Sequence, residues 1–265
     1  MDKQVVVRNR IFRQITLLKG VIVAFSTLAL LGGSACTKVF VSVHAPIYGN
    51  ALTGLNCKLK RELRNHKQET DFWCWAASAH TVLAYLKQDE SIRQCDLLNA
   101  AIGLDPKATD PNSIDCCKAN YLSTDPENAT SLTSTLDPAS TNVCWLNGWP
   151  EKVFERMPYT VSYTPVKFNP AFEGPQGLEW HEIVTEICDD RPIISAVAFS
   201  GPGAGAHTVV IGGYKEMDDG TQWVQVYDPG YSTLEEDYYV WPYEMYLGDP
   251  GVFTHIRDYK NISIQ

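Results

Sequence analysis

Cys74 lies in the run Lys67-Gln68-Glu69-Thr70-Asp71-Phe72-Trp73-Cys74-Trp75-Ala76-Ala77. From Thr70 the pattern turns helical: Asp71 can cap, and Trp75, Ala79, Val82, Leu83 and Leu86 recur at the spacing of one buried face, out to about Lys87. A cysteine in the first turn of a helix sits among backbone N–H groups that have no intrahelical partner, at the positive end of the helix dipole. Both favour thiolate over thiol, so Cys74 is a candidate nucleophile. Taken alone, the segment fits a buried structural cysteine or a bridge partner better.

A nucleophilic thiol needs a base, and His207 and Asp228 can be brought together by arithmetic. The segments around them flank the turn Met217-Asp218-Asp219-Gly220. Folding a hairpin about that turn sets His207 roughly opposite Asp228 on one face of the sheet. A carboxylate there would hold one ring nitrogen and aim the other outward, as a general base toward Cys74 requires. The bland alternatives are a half-buried strand histidine and, for Asp228 before Pro229-Gly230, a turn former.

Gln68, then Cys74-Trp75-Ala76-Ala77, then Gly205-Ala206-His207, then Asp228-Pro229, in that order, resemble the papain-like cysteine peptidase superfamily. In particular they are similar to its compact bacterial branch, which includes peptidases that cut double-glycine leaders. The resemblance covers residues 67 to 230, and its six-residue Gln-to-Cys spacing with Cys-Trp at a helix start is its specific part. It implies a Cys74, His207, Asp228 triad with the Gln68 side chain and the Cys74 N–H forming an oxyanion hole. A neutral donor aimed at the developing negative oxygen stabilises the tetrahedral intermediate by about 3 kcal/mol. Asp228 stands where papain has Asn, and a carboxylate holds an imidazolium more strongly. With neither an attached transporter nor a long inhibitory pro-region, leader processing is not the expected role, and export or slow disulfide formation would have to restrain activity.

The elements that would position these residues are helices first and strands afterwards. A second helix is expected from Leu178 to Asp189, ended by Arg191-Pro192. Strands are expected at residues 193–199, 207–214, 223–227, 238–241 and 252–255. The fold class is therefore α+β, a papain-like arrangement in which an N-terminal helical part with the nucleophile helix packs on an antiparallel β-sheet. Residues 91–150, rich in Asp-Pro, Ser, Thr, Asn and Cys, read as short helices and loops held by disulfides.

The chain has 265 residues, 45% hydrophobic and 20% charged, enough for one domain with a real core. Its start is basic (Lys3, Arg8, Arg10, Arg13 and Lys19 against Asp2) and is followed by the apolar run 21–31 and Gly32-Gly33-Ser34-Ala35-Cys36. That is the layout of a secretory signal, too short to span a bilayer. Small residues before a cysteine resemble the bacterial lipoprotein signal, with Cys36 lipidated and Thr37 fitting outer-membrane sorting; plain secretion is the alternative. The expected divisions are a signal peptide at 1–35, a lipid-anchored spacer at 36–66 and the peptidase domain at 67–265. The +4 carried by the first 35 residues leaves −13 for the remainder of a chain whose total is −9. Such a field excludes phosphate backbones, so nucleic acid is not an expected partner.

Export changes how the other cysteines read, because exported thiols are normally oxidised. Cys57, Cys95, Cys116, Cys117, Cys144 and Cys188 are disulfide candidates in fifteen possible connectivities. No C-x-x-C pair suggests zinc, and neither a metal nor a cofactor is expected. His80, six residues from Cys74, is expected at the surface, and His44, His66, His181 and His255 show no partner pattern. Trp73, Trp75 and Trp223 read as core or cleft wall. Residues 201–205, rich in glycine, have no helix after them to make a phosphate loop and would instead give a substrate backbone room near His207. Asn128 and Asn261 fit a glycosylation pattern that matters only outside bacteria.

These residues lead to an exported cysteine peptidase with a protein or peptide substrate, acting as a monomer and touching membrane only through a lipid anchor. A transglutaminase-like transferase or deamidase would use the same residues, and an inactive surface binding module is the alternative from another class.

Overall fold

A computed structural model describes residues 47–48, 56–70, 72–104, 115–117, 144, 148–169, 174–200, 205–230, 238–248 and 251–265. The signal segment, Cys36, His44, Asp71, Asn128 and residues 201–204 lie outside them. In chain order the elements are β1 (Ile47–Tyr48), β2 (Cys57–Lys58), α1 (Cys74–Lys87), α2 (Gln94–Ala101), α3 (Pro150–Phe154), β3 (Val161–Lys167) and α4 (Trp180–Cys188). They are followed by β4 (Ile193–Phe199), β5 (Ala206–Glu216), β6 (Gln222–Tyr227), β7 (Tyr239–Pro242), α5 (Tyr243–Tyr246) and β8 (Phe253–Ile264). All strands join one antiparallel sheet in the order β1-β7-β6-β5-β4-β8-β3, with β2 beside β5. The fold is α+β, as expected.

The apolar runs of β4 and β5 follow from their central place. β4 sits between β5 and β8, both of its long edges are paired, and Ile193 to Val197 are all buried. Helix α1 packs on β5 on one side and on α2 and α3 on the other. It is therefore buried all round from Cys74 to Tyr85, not along one face as its periodicity suggests. Small residues at 76 to 79 allow that double approach. Its start also differs from expectation: the first helical residue is Cys74, and the cap is Trp73, with no side-chain cap. Helix α4 occupies Trp180–Cys188, entered through a reciprocal capping box between Glu179 and Glu182.

Residues 57–66, expected as spacer, contribute to the folded body. β2 pairs with Tyr214 and Gly213, and Leu59 and Leu63 are buried. β3 and the long run of β8 beyond residue 255 were not anticipated, because Pro165 and the charges Arg257, Asp258 and Lys260 disguise them. Two disulfides, Cys95–Cys117 and Cys116–Cys144, hold α2 to the turn at 115–117 and that turn to Cys144. The adjacent cysteines thus take different partners.

Candidate active site

The β5–β6 hairpin closes through a three-residue loop. Gly220 N donates to Met217 O, Met217 N donates to Thr221 O, and Gly220 has a φ of 80° that suits its lack of a side chain. The axis of the hairpin falls later than the expected turn centre. The last paired residues are Val210 and Tyr227, so the ladder runs out one residue before Asp228, which continues the line toward Val209. His207 lies two residues further along from Val209, on the same face by alternation. The two side chains therefore meet diagonally rather than directly across, and His207 Nε2 lies 2.7 Å from Asp228 Oδ1.

The carboxylate is itself held from several sides. Gly230 N donates to Oδ1 at 2.8 Å, and the Tyr239 hydroxyl donates to Oδ2 at 3.1 Å. Asn65 Nδ2 donates to the Asp228 carbonyl. With Nε2 occupied by Asp228, the other ring nitrogen of His207 is the one left for the thiol, and Cys74 lies near enough to the imidazole to add to its basicity. Cys74 Sγ also comes within 4.0 Å of the Thr208 hydroxyl, and Ser78 Oγ donates to Thr208 O, which ties the first turns of α1 to the strand that carries His207.

Burial by itself would depress the basicity of His207. The Asp228 charge and hydrogen bond outweigh it, Cys74 adds to them, and the imidazole is pushed up to about 10. The ring therefore remains an imidazolium at neutral pH.

Gln68 reaches the same place from the chain before α1. Its backbone N–H donates to Pro229 O at 2.9 Å, and Nε2 donates to Thr70 O at 2.9 Å. A methyl group placed at Gly230 would lie 3.2 Å from His207 Cε1, 3.2 Å from Asp228 Oδ1 and 3.5 Å from Gln68 Oε1, so these three side chains surround one point. Cys74, His207, Asp228 and Gln68 are each 8% exposed or less.

This geometry places Gln68, Cys74, His207 and Asp228 in one buried region, and the sequence model of the peptidase C39-like family matches residues 60–257. The chain belongs to the peptidase C39-like family. It is thereby related to the papain-like cysteine peptidases, hydrolases at the level of the family. A comparison with curated proteins gives no match.

Gln94 was not singled out in the sequence, and Trp73 and Trp75, read there as core or cleft wall, are buried with contacts that the sequence did not show. Gln94, buried on α2, grips the chain on both sides of Gln68: Glu69 N donates to its Oε1, and its Nε2 donates to Lys67 O. Trp73 Nε1 donates to Cys144 O at 2.7 Å, which fixes the entry to α1 against a disulfide-bonded residue. Trp75 lies flat on Gly148, where any Cβ would stand 2.6 Å from the indole.

Two histidine expectations are corrected. His80 is buried rather than at the surface because α1 is enclosed on all sides; it stacks on His66 at 3.7 Å, and burial lowers its basicity to about 3. His255 does have a partner, with Nδ1 3.0 Å from Asp258 Oδ1 in full burial. Cys95, Asp96 and Cys117 gather within 4.8 Å, but the two sulfurs are joined to each other and offer no thiolate pair to a metal. Cys57 and Cys188 carry separate thiols. Among the described residues no helix is long and apolar enough to cross a membrane.

Proposed function

We propose that the protein is an exported cysteine peptidase that hydrolyses peptide bonds through a thioester on Cys74. The observation that carries this reading is the placing of Cys74, at the start of α1, against the strand that bears His207, with His207 Nε2 2.7 Å from Asp228 Oδ1. The charged imidazole beside the sulfur favours the thiolate, as does the start of a helix with no side-chain cap. The thiolate attacks the peptide carbonyl carbon, and the oxygen takes up the negative charge. The backbone N–H of Cys74 and the Gln68 amide hydrogen not committed to Thr70 O are the donors for that oxyanion. His207 then gives its Nδ1 proton to the leaving amine, and the amine departs to leave the thioester. Water, deprotonated by the now neutral imidazole, attacks the thioester and restores the thiolate and the imidazolium. Asp228 keeps the ring oriented and balances its charge throughout.

Two disulfides support an oxidising location. The basic start, the apolar run and the Gly33-Ser34-Ala35-Cys36 sequence support export and lipidation at Cys36, with the protein acting as a monomer on peptide or protein substrates. The deciding experiment offers a mixed peptide library to the purified protein and to Cys74→Ala. Cleavage and labelling by a thiol-directed epoxide both disappear in the variant if Cys74 is the nucleophile, whereas cleavage that survives the substitution rejects the mechanism. Adding an amine acceptor to the same assay exposes acyl transfer as cross-linked rather than cleaved product.

A further inference from the structure

Cys57 opens β2, a strand of two residues that pairs with β5, where Cys57 lies directly opposite Tyr214. Cys188 closes α4, which packs on β2 and β5, and its sulfur lies 3.3 Å from the Tyr214 hydroxyl. The two thiols thus lie about the same tyrosine, close enough for each to affect the other's proton affinity. Other ties cross the same seam: Lys60 N donates to Asp190 Oδ1 at 2.7 Å, and Glu216 N donates to Asn56 Oδ1 at 3.1 Å. Neither thiol serves the candidate active site, because β2 pairs with β5 six to seven residues from His207, about 20 Å along the strand.

We infer that Cys57 and Cys188 are a third disulfide site, which staples the start of the folded chain to the end of α4. Both thiols lie about one tyrosine, on backbones fixed by the ladder and by the helix, the arrangement from which a bridge can close. The bridges Cys95–Cys117 and Cys116–Cys144 already require an oxidant when the chain folds, and the class that serves here is a small-molecule or protein disulfide.

The exposure of the two thiols sets the order of events. Cys188 is exposed and meets the oxidant first, whereas Cys57 is half-buried, and that burial with the neighbouring Cys188 pushes it up to about 11. Cys188 thiolate attacks the oxidant disulfide, forms a mixed disulfide and expels one thiol. Cys57 then loses its proton and attacks the Cys188 sulfur, expelling the second thiol. The oxidant gains two electrons and the two protons, and one new S–S bond remains in the protein. Its formation leaves Cys74 as the one thiol among the described residues and removes the two sulfurs that could mispair with it.

Differential labelling tests the pairing on the intact protein. After equilibration with glutathione disulfide, free thiols are capped with iodoacetamide under denaturing conditions, disulfides are reduced, and the released thiols are capped with N-ethylmaleimide before peptide mapping. Cys57 and Cys188 take the second label, and in non-reduced digests they share one cross-linked peptide. In Cys57→Ser, Cys188 shifts to the first label or to a glutathione adduct. Wild-type protein in which both cysteines take iodoacetamide while the other two bridges are intact overturns the inference, as does either cysteine found joined to a different residue. The Cys57→Ser/Cys188→Ser protein, oxidised elsewhere as usual, loses about 10 °C of Tm, the order expected for closing so long a loop; an unchanged Tm overturns the stapling role.

Discussion

The Tyr239 hydroxyl donates to Asp228 Oδ2, the oxygen that His207 does not use. Both Asp228 oxygens are thereby engaged, Oδ1 by His207 and Gly230 N and Oδ2 by Tyr239, so the carboxylate has a fixed plane in a buried place. Tyr239→Phe removes one hydrogen bond and no bulk. A bond of this kind contributes about 1 kcal/mol, so a fall in kcat of about fivefold to tenfold is expected, with KM unchanged. Steady-state kinetics on a quenched peptide substrate measures both, and a kcat equal to that of the parent protein would remove Tyr239 from the mechanism.

The Asp228 charge has a separate signature in pH. His207 stands at about 10 because that charge outweighs burial, so the imidazolium persists until pH rises through that value and activity declines there. In Asp228→Asn the largest raising influence is gone while burial still pushes downward. The alkaline limb of kcat/KM then moves toward lower pH by more than about one unit, or at least ~1.4 kcal/mol of lost imidazolium stabilisation. An alkaline limb that stays in place would show that it does not report His207.

Gln94 acts at one remove. It holds Lys67 O and Glu69 N, and so fixes the backbone on either side of Gln68 without touching the site. Gln94→Ala leaves both backbone groups without that partner. The expected result is lower stability by about 1–3 kcal/mol and a loss of kcat at unchanged KM. The discriminating measurement is a double-mutant cycle: in a Gln68→Ala background the further substitution of Gln94 costs no additional kcat. Additive losses would make Gln94 merely structural.

What the sequence disclosed and withheld divides along physical lines. The nucleophile helix, the strands at 193–199, 206–216 and 222–227, and the shared face of His207 and Asp228 follow from local periodicity and one glycine turn. The register was legible only to within two residues, because the loop centres later than the turn residues suggest and the ladder shifts between Ile211 and Gly213. Such a shift has no periodic trace. His255 and Asp258 illustrate the same effect: three residues apart on an ideal strand, they would face opposite ways. The irregularity in β8 opposite Ala196 and Val197 absorbs one residue and turns them to the same side. Gln94, Tyr239 and Trp73 act through partners 11 to 71 positions distant, contacts that exist only once the chain is folded.

That buried pair gives the last prediction. Asp258 accepts from His255, from the Tyr246 hydroxyl at 2.7 Å and from Leu178 N at 3.3 Å, and so joins β8, α5 and the entry to α4. Burial would lower the basicity of His255, but the Asp258 charge reverses this and raises it above its ordinary 6.5. A group raised on folding adds stability that is complete below its unfolded value and disappears as pH climbs through its folded one. Thermal unfolding at a series of pH values should therefore show this contribution full below about pH 6.5 and declining above it. Asp258→Ala strands a buried imidazole and two buried donors, at a cost of about 3–5 kcal/mol. Because Asp258 touches none of Cys74, His207, Asp228 or Gln68, kcat per folded molecule at low temperature remains that of the parent. A variant whose stability loss does not shrink as pH rises would show that the charge on His255 is not what the pair contributes.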